Sequence, residues 1–205
     1  MPHAGRLAAY HRVMRADHHV TRADVHVLHA GYARDDGRVG GSVVLVRDGD
    51  ARIVADPGMV ASRSLILDPL AALGVAAADI THVFLSHHHP DHTVNIALFP
   101  NAEVVDFWAR YRDDLWLDHE GDGYGLSAHA TLWLTPGHTE EDATLIVEAA
   151  DGIYALTHLW WFTDRTPEVD PLAADQAAIE RARARVLAVA DIVVPGHGPA
   201  FRVRP

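Results

Sequence analysis

The sequence predicts an α+β fold, strand-rich in its first half and mixed in its second. Three observations carry this. Short apolar runs rich in Val, Ile and Leu recur between Gly, Pro and Asp; strands are followed by helices in both halves; and two longer segments have a helical apolar period.

Strands are predicted near residues 25–29, 42–47, 51–56, 82–86, 102–105, 130–135, 143–149, 152–157 and 191–195. A helix over 62–73 is apolar at Leu65, Leu70 and Leu73 and stops at Gly74. A second, over 175–190, places Ile179, Val186 and Leu187 on one face, opposite arginines. A third, short helix is expected over 92–98. Arg181, Arg183 and Arg185 stand at alternate positions, which fan around a helix, so they read as a solvated surface rather than a phosphate-binding stripe.

Residues 106–129 show no clear period. The run Gly121-Asp122-Gly123-Tyr124-Gly125 predicts a mobile loop there, carrying Trp108, Tyr111 and Trp116. Residues 1–22 interleave Arg, His and Asp and are expected to form a loosely held arm ahead of a single domain over 23–205. With 205 residues, 49% hydrophobic and 22% charged, the chain has room for one substantial core and none for a second catalytic domain.

The chemistry concentrates in His87-His88-His89-Pro90-Asp91-His92, directly after the apolar Val83-Phe84-Leu85. Neutral imidazole nitrogens and a hard carboxylate oxygen suit zinc and, less selectively, iron, manganese or nickel. His87 and His89, two apart, fall on one side of an extended backbone, while Asp91 and His92 follow a proline. Two further histidines occupy similar frames at predicted strand ends, Pro136-Gly137-His138 and Pro195-Gly196-His197. Pro and Gly put each on a tight loop, where a rigid scaffold often carries chemistry. Either frame alone could be an ordinary turn; together with the first cluster they imply convergence on one metal pocket. His88 points away from that side, and His82, His119 and His129 have no ligand-like frame.

The composition excludes several classes. Without cysteine there are no disulfides, thiolate ligands or thiol nucleophiles. No run approaches the roughly 20 apolar residues of a spanning helix, so no membrane partner is expected and the cytoplasm is the default location. All 17 basic residues are arginine, and the net charge of -11 repels a polyanion, which disfavours nucleic acid and leaves a small-molecule substrate.

The pattern His87-x-His89-x-Asp91-His92, His138, His197 resembles the metal-binding signature of the metallo-β-lactamase superfamily. Val43-Val44-Leu45-Val46 and Asp56-Pro57-Gly58 match the strand and the Asp-x-Gly turn ahead of it. Ala97-Leu98-Phe99-Pro100 and the stretch from Val189 to Phe201 are similar to the subgroup of metallo-β-lactamase domain-containing protein 1 and its bacterial relatives.

The resemblance implies a four-layer αββα sandwich with the metal site at one edge of the two sheets. It implies one ion on His87, His89 and His138 and a second on Asp91, His92 and His197: zinc, one or two ions, with iron or manganese as alternatives. It further implies a metal-dependent hydrolase using metal-bound hydroxide on a small ester, thioester, lactone or amide. Asp91 would be the catalytic base where only the first ion is bound. Phosphodiesterase or nuclease activity is one alternative; a mononuclear iron enzyme using oxygen, or a non-catalytic metal binder, is another. One position departs from the family pattern. The strand Gly152-Ile153-Tyr154-Ala155-Leu156 should lead into a bridging acid, but His158 stands there, either a terminal ligand or a residue lining the pocket. Trp160, Trp161 and Phe162 follow and are expected to wall the substrate pocket. Asp56 is expected to orient a ligand loop from behind.

Overall fold

The computed structural model describes residues 22–203. The expected arm therefore falls outside the described residues except for Arg22, which reaches Glu148. In chain order the elements are β1 (Asp24–His29), β2 (Tyr32–Ala33), β3 (Val39–Gly40), β4 (Val43–Asp48), β5 (Ala51–Ala55), α1 (Ser64–Ala72), β6 (His82–Phe84), α2 (Pro90–Thr93) and β7 (Glu103–Val105). There follow β8 (Arg110–Arg112), β9 (Leu115–Leu117), β10 (Tyr124–Gly125), β11 (Ala130–Leu134), β12 (Ala143–Ala149), β13 (Gly152–Leu156), α3 (Gln176–Val189), β14 (Ile192–Val194) and β15 (Phe201–Arg202).

Two mixed sheets form, in the orders β1-β4-β5-β6-β7-β8-β9 and β10-β11-β12-β13-β14-β15. Strand alternation explains the layering. On β4 and β5, Val44, Val46, Ile53 and Ala55 face the second sheet, whose Leu132, Leu145, Val147, Leu156 and Val194 meet them in the central core. The alternate residues Val43, Leu45 and Val54 face outward onto Ile66 and Leu70 of α1. On the far side Ile146, Ala155 and Val193 pack on Ile179, Ala182 and Val186 of α3. The result is the αββα sandwich that the resemblance implies, in which the central strands must be apolar on both faces.

Three expectations need correction. The stretch 106–129 is not one structureless loop: β8 and β9 pair as a hairpin through a turn at Asp113, whose φ is 53°, and β10 joins the second sheet. The helix expected over 92–98 is two short turns, α2 and a 3₁₀ turn at Ile96–Leu98. Asn95 leaves the helical ladder between them, its N–H donating to Pro57 O and its side chain to Gly58 O. Arg183 is buried rather than solvated, donating to the carbonyls of Leu159 and Pro167. Its neighbours remain outside: Arg181 is exposed, and Arg185 pairs with Asp122.

β5, β6 and β7 run parallel, as do β13 and β14, so their C-terminal ends gather at one edge of the sandwich. The edge is stitched across the sheets by Ala143 N–H on Ser86 O at 2.7 Å and Ser42 N–H on Gly196 O at 2.7 Å. The Asp56-Pro57-Gly58 turn forms its floor. A side chain on Gly58 would meet the carbonyl oxygen of Asp91 at 1.7 Å, so the ligand loop lies directly on the turn.

Candidate metal centre

The loop after β6 delivers four of the expected ligands within six residues. Leu85 is the last apolar residue; Ser86 N–H then donates to Asp56 Oδ1 at 2.7 Å, which turns the chain and aims His87 into the interior. Pro90 opens α2, where its fixed φ and missing N–H suit the first helical position, so Asp91 and His92 sit in the first turn. His138 and His197 come from the Pro-Gly loops after β11 and β14, and His158 from just beyond β13. The loop of His138 is closed by Asp142, whose carboxylate accepts the N–H and hydroxyl of Thr139; burial pushes that carboxyl up to about 6 against these bonds.

All seven residues meet at the gathered edge. His89 Nδ1 lies 3.1 Å from His87 Nε2 and 3.3 Å from His138 Nε2. Asp91 Oδ2 lies 3.3 Å from His92 Nε2 and 3.5 Å from His197 Nε2. His158 stands between the two groups, Nε2 at 3.1 Å from that of His197, its ring 4.3 Å from His138 and 4.5 Å from His87. His87, His92, His138, His158 and His197 are buried, Asp91 is half-buried and His89 is exposed, so the centre opens to solvent on the His89 side.

The outer ring nitrogens are held from behind. His92 Nδ1 lies 3.1 Å from Asp56 Oδ2, His138 Nδ1 2.8 Å from Asp170 Oδ2, and His197 Nδ1 3.1 Å from Gly40 O. For a neutral ring, an acceptor behind Nδ1 claims its proton and leaves the Nε2 lone pair facing inward. Burial first, then mutual repulsion, holds His87 and His158 well below the ordinary histidine range, and His197 goes down to about 4. Burial also opposes charge on His92, but Asp56 and Asp91 outweigh it and raise that ring to about 9. Burial likewise works against the Asp91 carboxylate, yet the His92 hydrogen bond and the nearby imidazoles lower it to about 2.

This donor set fits divalent metal. Ligands about 2.0–2.1 Å from a tetrahedral ion stand about 3.3 Å apart, close to the separations found here. Among the described residues four overlapping three-donor groups form: His87, His89 and His138; Asp91, His92 and His197; His87, His92 and His158; and His138, His158 and Asp170. The buried nitrogen His158 Nδ1 has no hydrogen-bond partner, the condition a metal relieves.

The aromatic wall is only partly as expected. Trp160 is core, not pocket: it is 2% exposed, packs on the α3 side of the second sheet and meets Phe201 edge-on. Trp161 instead faces the centre, 6.0 Å from the His138 ring and 6.1 Å from His197. Phe162 is half-buried beside Trp161. Asp56 backs the first ligand loop as its turn suggests. His88 turns away to Asp106 at 2.8 Å, and His129 to Asp48 at 2.8 Å. Asp170 stands after Pro167 in a stretch without period, where no frame in the sequence marks it; its burial and its contact with His138 do. A surface cavity of about 350 Å³ beside His82, Glu103 and Arg112 holds none of these residues.

The model of the Metallo-beta-lactamase superfamily matches residues 36–203. The chain belongs to the metallo-β-lactamase superfamily. Within it, the chain is 36% identical over 184 residues to metallo-β-lactamase domain-containing protein 1 of Xenopus laevis, covering 84% of this chain and 78% of that one. It is 39% identical to the Homo sapiens protein of that name over 163 residues, covering 74% of this chain and 59% of the human one. Among solved superfamily folds, a metallo-β-lactamase-type structure from Thermotoga maritima aligns with a TM-score of 0.70 at 19% identity, over 88% of this chain and 99% of that one. A quorum-quenching N-acyl homoserine lactone lactonase aligns with a TM-score of 0.64 at 17% identity, over 87% and 92%. Among the described residues, no helix is long and apolar enough to cross a membrane.

Proposed function

We propose that this chain is a cytoplasmic metal-dependent hydrolase that attacks a small ester, thioester, lactone or amide with activated water. The observation that carries this is the pair of adjoining three-donor groups, with the half-buried carboxylate of Asp91 beside the opening. When bound, one or two divalent ions, zinc first, with iron or manganese as alternatives, would lower the pKa of water toward about 7 and polarise the scissile carbonyl.

The chain's own residues supply the rest. His87, His89 and His138 would hold the first ion, and Asp91, His92 and His197 the second. With only the first bound, Asp91 is free to accept the proton of the attacking water. His158 cannot bridge as a neutral imidazole. It groups with His87 and His92, between the two ions, where it fits a terminal ligand. Trp161 and Phe162 offer an apolar wall for the acyl part of a substrate. The lactonase among the structural neighbours acts on N-acyl homoserine lactones, which supports putting lactones first in a screen.

The test is turnover of matched lactone, ester, thioester, amide and phosphodiester substrates, with and without chelator. Chelator-sensitive cleavage of a carboxyl derivative is expected; cleavage of the phosphodiester alone would move the assignment to a phosphodiesterase. A second reading rests on Asp91, His92 and His197, two histidines and one carboxylate as in mononuclear iron enzymes that use oxygen. Elemental analysis of protein purified without chelator separates the two: zinc supports hydrolysis, and one iron per chain supports oxidation.

A further inference from the structure

We propose that Asp170 is a positioning residue for the first metal-binding group, fixing His138 with its inner nitrogen open to the cation and held in turn by Trp161. This rests on the metallo-hydrolase reading above and adds to it a residue outside the ligand signature.

The argument begins with satisfaction of the carboxylate. The Asp170 side chain is fully enclosed. Its Oδ2 lies 2.8 Å from His138 Nδ1 and accepts the indole N–H of Trp161 at 2.9 Å, and its Oδ1 accepts the N–H of Leu172 at 2.8 Å. A carboxylate has no proton to give, so the proton between it and His138 belongs to Nδ1. Nε2, 3.3 Å from His89 Nδ1, is then left as the lone pair.

The segment carrying Asp170 is anchored to both late histidine loops. Ala174 N–H donates to His138 O at 3.1 Å and Asp175 N–H to Gly137 O at 2.9 Å; His197 N–H donates to Trp161 O at 2.6 Å. Gln176 Oε1 accepts the N–H of Asp170 at 3.0 Å, and Arg183 secures Leu159 O and Pro167 O at 2.8 and 2.7 Å.

Charge gives the arrangement its purpose. The first group offers three imidazoles and no carboxylate, and position 158, where the family pattern has an acid, is histidine. Asp170 sets a negative charge one ring away, as Asp56 does behind His92. A carboxylate behind a ligating imidazole raises its basicity and holds its ring.

The test is zinc titration of the metal-free protein against a chromophoric chelator, with the cobalt absorption spectrum as a readout of coordination. Asp170→Asn keeps the shape and removes the charge; it should weaken one ion by about 10–100-fold, alter the cobalt spectrum and leave the other ion in place. Trp161→Phe should weaken the same ion by a smaller factor. Wild-type affinity and spectrum in Asp170→Asn would overturn the proposal. Should that variant fail to fold, Trp161→Phe decides, unchanged affinity counting against the proposal. Wild-type protein that takes up no ion overturns the metallo-hydrolase reading as well, a result distinct from normal uptake that ignores Asp170.

Discussion

The two three-donor groups at the sheet edge are built differently. His87, His89 and His138 are all imidazoles, drawn from two loops on opposite sheets, with exposed His89 at the mouth. Asp91, His92 and His197 include a carboxylate, and His92 is entirely enclosed and backed by Asp56. The first matches the three-histidine set that leaves zinc an open position; the second is harder, more anionic and less selective among divalent ions. An edge that looks like one pocket would therefore offer divalent ions two different affinities, each open to a separate test.

The strongest way to break this comparison is His138→Ala. It should remove tight uptake at the first group, by more than about 100-fold, and spare the second. Elemental analysis would show stoichiometry falling by one ion; loss of both would mean the groups form one unit. Asp56→Asn should do the reverse, weakening the second ion by about 10–100-fold in chelator competition and the first by less, because an Asn oxygen still accepts the Ser86 N–H that aims His87. His158→Asp sharpens the contrast by restoring an acid between the groups, and should tighten the second ion by about 10-fold. Unchanged affinity and stoichiometry would take position 158 out of the ligand set.

The smallest effect belongs to a pair outside both groups. Asp48, at the end of β4, accepts the backbone N–H and meets the ring of His129 ahead of β11, tying the two sheets together. Burial opposes the Asp48 carboxylate, but the bonds from His129 hold it below the ordinary carboxylate range. Its stabilisation is therefore full above pH about 4 and lost as pH falls below that. Asp48→Asn should cost about 1–3 kcal/mol near neutrality, lowering Tm by about 2–4 °C per kcal/mol, and flatten the acid side of the stability profile. Metal affinities should not change; a shift in either would show that the groups depend on sheet packing.

The site's outline was legible because ligand chemistry is local in sequence: six positions hold His87, His89, Asp91 and His92, and each Pro-Gly-His frame announces its own loop. The central strands were legible for a similar reason, since residues such as Val43 to Val46 must be apolar on both faces. What escaped depends on partners distant in the chain. Asp170 is one acid in an aperiodic stretch, and its meaning lies in His138 and Trp161. Trp160 and Trp161 are neighbours of identical type, and only the bend of the chain beyond β13 sends one to the core and the other to the centre. Arg183 resembles Arg181 and Arg185 until the carbonyls of 159 and 167 fold over it. β8 and β9 are three residues each, too short for a period to rise above noise.

Gly58 and Gly196 set different freedoms for variation. At 58 even a methyl group would strike the peptide that carries Asp91, at 1.7 Å, and would shift two donors together. At 196 the near neighbour is instead the imidazole of His158, at 2.3 Å, an atom of the very residue that has diverged. A side chain at 196 would need only the side chain of residue 158 to give way, whereas one at 58 would displace the backbone that carries Asp91 and His92.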